Sequence, residues 1–346
     1  MVLMAVYLGY TAARRVLESV LVRDLDLHPV RGPVNCVSSK KEVTHLIKQG
    51  LGDNSSSDLK SLLHMQPGDS IDIMVSTQEQ RRHWQGVKCH VHDTRIPERS
   101  YLMLAPDVLV ASPELCFLQL ASQLDLIQTI RLAMSFCGIY ELVGEKRPDY
   151  ESVQLPDGSI RVLKHTIFDR KPIMSIESAL SFLDGLDGVP GVETARRALL
   201  YTLPNSGSPM ETSMVIPLIL PRRLGGFGLP RPTMNGLIPL DGLSQDIAGQ
   251  SICRGDAVWE IGRFVLEYQS RDKHDNQAAY GNDYARQLAL EIKGYEVIFV
   301  TAKQIADVNQ MTVIALRIAK CLDLRLPKGA LTPTKRLEEL LQAVLL

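Results

Sequence analysis

Two carboxylates, Asp256 and Glu267, flank a segment that reads as a β-hairpin. Residues 256–260 and 263–269 are strand-like on either side of Ile261-Gly262. A two-residue turn there pairs position 260 with 263 and places 256 opposite 267. Directly opposed side chains have Cβ atoms roughly 5 Å apart. Two carboxylates at that spacing repel, and each raises the other's pKa. A divalent cation between them removes the conflict. Period-2 alternation puts Val265, Glu267 and Gln269 on one face and Phe264, Leu266 and Tyr268 on the other. A type I′ turn asks Ile261 for a positive φ, which a β-branched residue resists, so a bulge could shift this register.

These acids sit in a chain of 346 residues, long enough for more than one core. Hydrophobic residues make up 45% and charged residues 22%, so global disorder is not expected. A net charge of −1 argues against a uniformly basic nucleic-acid coat but leaves room for a local basic groove. The cysteines, at 36, 89, 116, 137, 253 and 321, are scattered without a CxxC and read as reduced core residues. The apolar start, Met1 to Tyr10, is followed by Arg14 and Arg15, the reverse of a signal peptide. No run approaches the ~18 apolar residues of a membrane span. A soluble, cytoplasmic protein with no membrane partner is therefore expected.

Several elements must position the acids. Helical spacing covers 12–26, and alternation marks strands at 70–76 and 87–93. Ser112-Pro113-Glu114 is a helix start, with a helix expected to about 126 and a second over 126–136. Residues 152–163 read as a hairpin around Pro156-Asp157-Gly158. A helical pair follows over 175–186 and 192–203. Pro204-Asn-Ser-Gly-Ser-Pro209 has linker composition and sets the last domain boundary. Beyond it come a helix over 209–220, a glycine-rich loop over 221–232, the hairpin, a helix over 279–293, a strand over 295–301 and a final amphipathic helical region. Three regions are expected: a mixed α/β region over 1–110, a mostly helical region over 111–205, and a third over 206–346.

Helix, acid-bearing hairpin, helix and strand is the layout of the PD-(D/E)xK nuclease core. The chain also resembles a bacterial family related to very-short-patch-repair endonucleases. The likeness rests, in order, on Ser208-Pro-Met-Glu211, Asp256, Leu266-Glu-Tyr-Gln-Ser270 with His274, Asn282-Asp283-Tyr-Ala-Arg286 and Gly294-Tyr-Glu-Val-Ile-Phe-Val-Thr301. It covers about residues 206–305. Such proteins typically end the central strand with Glu-x-Asp, and here the third residue is Gln269. The resemblance implies an α+β fold with a restriction-endonuclease-like mixed sheet flanked by helices. It implies that Asp256 and Glu267, with Glu211, hold Mg²⁺ or Mn²⁺, which activates water against a phosphodiester. Gln269 would replace the usual Lys or Asp, and His274 would shuttle a proton or contact phosphate. Arg286 would brace the site or bind a backbone phosphate, and Arg222 and Arg223 of the glycine-rich loop could do the same.

Simpler roles exist for each residue. Ser208 and Glu211 form a capping-box pattern, compatible with a metal role. Asp256 could be a turn residue after Gly255. Glu267 in an apolar strand needs a partner, either a cation or a buried salt bridge. Asp283 and Arg286, three apart on a helix, could be an ion pair. His274 could be a solvated loop residue. Cys89-His90-Val-His92, with His83, lacks a second ligand cluster, so zinc is not expected. Gly225-Gly-Phe-Gly228 lacks the spacing of a nucleotide-binding loop.

The segment from Gly86 to Leu124 resembles the N-terminal halves of the same family and of abortive-infection antitoxin-like regulators, which implies a recognition or scaffolding module. The leading expectation is a metal-dependent nuclease acting on nucleic acid, with DNA the expected substrate, in phage defence or repair. The alternative is a DNA-binding regulator or antitoxin-like interaction protein that keeps the fold without the chemistry.

Overall fold

A computed structural model of the chain describes residues 6–18, 27–30, 70–81, 86–93, 95–105, 108–142, 149–154, 160–165, 167–269, 277–325, 329 and 332–345, with backbone alone for 141–142, 149–154, 160–165, 167–169 and 277–283. It is a mixed α/β protein with two mixed sheets flanked by helices. The chain forms two compact units. The first is residues 1–136, 141–144 and 173–200, and the second is 137–140, 145–172 and 201–346. The helices expected as a middle region, over 113–136 and 176–199, belong to the first unit. Among the described residues no helix is long and apolar enough to cross a membrane.

The first unit is built on strands β1 (Val6–Leu8), β2 (Ile71–Val75), β3 (Val87–Val91), β4 (Tyr101–Ala105) and β5 (Val108–Ala111), in the order β3-β2-β1-β5-β4. β1 runs parallel to β5 and antiparallel to β2, so the sheet is mixed. The residues of β1, β2 and β5 are all buried. Full burial erases period-2 alternation, which is why β1 and β5 escape a pattern search. Among the described residues of this unit, the helices are α1 (Tyr10–Leu17), α2 (Pro113–Ala121), α3 (Leu126–Phe136), α4 (Ile176–Leu183) and α5 (Val192–Leu199). Ser112 caps α2 by accepting the Leu115 N–H. Leu8, Ile73, Leu109, Phe117, Ile130 and Phe136 lie at the centre of the core.

The second unit carries the candidate site. The expected hairpin near 152–163 forms from β6 (Asp149–Gln154) and β7 (Ile160–His165); its turn, 155–159, lies outside the described residues. Helix α6 (Pro209–Ile219) is buried on every side, the mark of a helix inside a core rather than on its surface. A four-stranded sheet follows in the order β8-β9-β10-β11, from Thr233–Pro239, Ile252–Trp259, Phe264–Tyr268 and Glu296–Val300. The first three strands are antiparallel, and β10 pairs β11 in parallel. The helices are α7 (Gly242–Ala248), α8 (Gln277–Ile292), α9 (Ala302–Ala306), α10 (Val308–Cys321) and α11 (Lys335–Leu345). Val258, Val265, Ile238, Cys253, Ala289 and Leu290 form one cluster, so α8 covers the sheet face that bears Val258 and Val265.

The segment over 221–232, whose composition reads as a glycine-rich loop, has a single short turn at Arg222–Leu224. It folds back along α6: the Phe227, Gly228 and Leu229 N–H groups donate to the carbonyls of Pro217, Leu220 and Leu218. Pro230 accepts the Trp259 indole N–H at 2.7 Å, tying this loop to the hairpin.

Candidate metal centre

Glu211 is set by the start of α6. Ser208 is the N-cap and accepts the Glu211 N–H at 3.0 Å, with Pro209 at the first helical position. This is half of the expected capping box. The Glu211 carboxylate turns to the residue before the cap, accepting the Gly207 N–H at 2.7 Å, and takes a second hydrogen bond from the Asn235 amide at 2.7 Å. Glu211 is 7% exposed. Burial, and next the negative charge of Asp256, push its carboxyl up to about 8, far above the usual carboxylate range. That repulsion places Asp256 within electrostatic reach of Glu211, although 45 positions separate them in the chain.

Asp256 and Glu267 are placed by the hairpin register. Ala257 pairs with Leu266, Val258 with Val265 and Trp259 with Phe264. These pairs follow the register that the turn length predicts; the ladder ends at Ala257–Leu266, one position short of the expected Asp256–Glu267 pair. No slip is introduced by Ile261: the positive φ in the turn falls on Arg263, at 45°, whose N–H donates to the Glu260 carbonyl at 3.1 Å. Glu267 alternates with Val265 and points to the side bearing Val258 and Val265, whereas the alternation of β9 breaks at Asp256, because the Gly255 position faces Val258 and Val265 as well. Gly255 is forced by the same packing: a Cβ there would meet Val265 Cγ1 at 2.7 Å. One Asp256 oxygen, Oδ2, accepts the Tyr268 N–H at 2.7 Å.

Glu267 is 6% exposed, and the Arg286 guanidinium donates to its Oε1 at 2.8 Å. Arg286 lies on α8, one turn before Ala289 and Leu290, which anchor the helix to the sheet. A buried salt bridge for Glu267, one of the two partners open to it from sequence, is therefore present. Gln269 is half-buried at the end of β10, where its N–H bonds the Val300 carbonyl. His274 lies outside the described residues, and Asp283 is described only by its backbone in α8. Arg222 and Arg223 are exposed, donating to the Gly329 carbonyl and the Tyr201 hydroxyl. Their loop is packed rather than open. Gly225 has φ 91°, and a Cβ there would lie 2.5 Å from the Arg336 carbonyl oxygen.

Asn235 is the site residue that sequence reasoning missed. It sits on edge strand β8, whose exposed and buried residues alternate. The alternation Thr233-Met-Asn-Gly-Leu-Ile-Pro239 is weakened by Gly236 and Pro239, both poor strand residues. Asn235 has φ 49° and also donates to the Asn205 carbonyl at 2.9 Å, so one amide joins the linker, α6 and the sheet.

In the first unit, the histidines of Cys89-His90-Val-His92 have protein partners. His90 Nε2 lies 2.7 Å from Asp72 Oδ1, and the Tyr10 ring stacks on the imidazole with centroids 3.9 Å apart. His92 Nδ1 lies 3.3 Å from the Tyr101 hydroxyl, and burial lowers its pKa. His83 lies outside the described residues. No family model, curated protein or solved structure matches this chain.

Proposed function

We propose that the second unit is a PD-(D/E)xK-type core that hydrolyses nucleic-acid phosphodiesters with Mg²⁺ or Mn²⁺, acting on DNA and related to very-short-patch-repair endonucleases. One observation carries the reading: the chain brings Glu211 and Asp256, two acids from separate elements, close enough to repel, with Glu267 on the neighbouring strand just beyond its last paired residue. Buried like charges are costly unless something compensates them. Carboxylate oxygens suit hard divalent cations, so the donor set fits. Among the described residues no three acidic, histidine or cysteine side chains are already gathered as a metal shell; Glu267 is held by Arg286 instead.

Asp256, Glu267 and Glu211 would hold the metal. When bound, it would polarise the scissile phosphate and lower the pKa of an attacking water. Glu211 must first surrender its proton, because its raised pKa keeps it neutral near pH 7. The Asn235 amide and Gly207 N–H hold the Glu211 carboxylate in place throughout. Gln269 can orient a water through its amide but cannot act as a base. Plasmid incubated with Mn²⁺ and the purified protein, alongside Glu267→Ala, tests the reading. Metal-dependent nicking that the variant loses supports it.

A second reading is a DNA-binding regulator that keeps this fold without chemistry. It is favoured by the Glu267–Arg286 ion pair together with the neutral Gln269. DNA retained in a mobility shift, with no cleavage in any divalent metal, is its signature.

A further inference from the structure

Glu267 and Glu211 are nearly equally buried, at 6% and 7% exposure, yet their partners differ. Glu211 receives only neutral donors, from Gly207 and Asn235. Glu267 receives a guanidinium, from Arg286 at 2.8 Å. A buried carboxylate needs a counter-charge, and removing a buried ion's partner is strongly unfavourable. For Glu267 that counter-charge is Arg286 in this structure and a divalent cation in a metal-loaded site. Arg286 is thus positioned to compete for the same oxygens. Its side chain is 33% exposed while that of Glu267 is 8% exposed, so solvent-borne anions can reach the guanidinium without unfolding the strand. Guanidinium forks bind carboxylate and phosphate with matching geometry.

We infer that Arg286 is an exchangeable latch: it neutralises Glu267 in the free protein and transfers to a backbone phosphate when nucleic acid binds, releasing Glu267 to the metal. Metal loading and nucleic-acid binding are then coupled, and each strengthens the other by the same factor. This rests on the metal-dependent reading of the site. It goes beyond that reading in making Arg286 a positioning residue that regulates occupancy. The latch keeps the free protein from holding a competent metal until a phosphate backbone is present.

The test uses the full chain and affinities rather than turnover. Mn²⁺ binding is measured by calorimetry for the native protein, Arg286→Gln and Arg286→Lys, each with and without a short phosphorothioate duplex. The latch predicts that the duplex raises the native protein's Mn²⁺ affinity by about tenfold, within the usual range of coupling between sites. Arg286→Gln should bind Mn²⁺ more tightly than the native protein without duplex, and gain nothing further from it. Arg286→Lys, which keeps the charge, should stay close to native. A reciprocal variant covers the case in which Arg286→Gln does not fold. Glu267→Gln weakens the latch from the other side, so its duplex affinity in EDTA should exceed that of the native protein. If Arg286→Gln binds Mn²⁺ no more tightly than native, or Glu267→Gln binds duplex no better in EDTA, the latch is wrong and Arg286 only braces the strand. The metal site survives that result provided the native protein binds Mn²⁺. If no variant binds Mn²⁺ with or without duplex, the metal-dependent reading itself falls, and the latch with it.

Discussion

At the scale of single residues, three carboxylates in one region of the second unit meet three different fates. Glu267 has a cation, Asp256 has a backbone N–H, and Glu211 has neutral donors and a neighbouring negative charge. The last arrangement favours the protonated carboxyl near neutrality. The consequence for stability follows from linkage. With its folded pKa raised to about 8 from the ordinary 4.5, Glu211 binds a proton in the folded chain where the unfolded chain has lost it. Its stabilising contribution is full below about pH 4.5 and is lost as pH rises through 8, at up to about 1.4 kcal/mol per pH unit in that window. Urea unfolding in EDTA across pH 5–8 should show this loss, and Glu211→Gln should flatten it. Equal slopes in the two proteins would contradict the assignment. For chemistry, Glu267→Ala should lower metal-dependent cleavage by at least ~100-fold, the scale of losing one key electrostatic stabiliser. Gln269→Lys should leave the rate equal or higher, because a cation there stabilises transition-state charge. Metal-independent cleavage, or full activity in Glu267→Ala, would exclude this mechanism.

At the scale of elements, the site is held by three attachments: the cap of α6, the β9–β10 register, and the seating of α8 on the sheet. The loop over 221–232 supports the first two by lying against both α6 and Trp259. Its glycines serve close packing. Gly225→Ala combines a left-handed backbone with a clash against the Arg336 carbonyl. It should destabilise the chain by about 1–3 kcal/mol, the cost of a strained φ that surrounding structure cannot relieve. Chemical denaturation resolves a change of that size. A neutral result would mean that α11 shifts readily away from the loop. Arg222 and Arg223, turned toward Gly329 and Tyr201, should have small effects on cleavage when changed singly to Gln, a difference visible in kcat/KM for a plasmid substrate.

At the scale of the whole molecule, a net charge of −1 leaves phosphate binding to a local patch rather than to a generally basic surface. The logarithm of the DNA association constant falls with the logarithm of salt by about 0.9 for each phosphate contacted. A protein that reaches DNA through a small patch around Arg286 should therefore show a shallow slope, with magnitude of about 4 or less. Fluorescence anisotropy over a salt series measures it directly. A slope near −10, as for extensively basic binders, would require a basic surface beyond this patch.

The sequence by itself determined those features that depend on local spacing. Ser112-Pro113 starts α2, Ser208-Pro209 starts α6, helix α3 spans 126–136 as its periodicity requires, and the hairpin pairs 257 with 266 because the turn length fixes the register. Period-2 alternation then put Glu267 on the face of Val265, whereas the break of alternation at Asp256 was not legible. Tertiary structure decided the rest. Strands β1 and β5 are buried on both faces, so their residues lack the polar alternation that marks a strand. Asn235 reaches Glu211 only because β8 pairs with β9 at the sheet edge. Arg286 could be placed on a helix from its spacing, but its ion pair with Glu267 depends on how α8 lies across β10. Long-range contacts of this kind are set by packing many elements at once, and no window of sequence contains them.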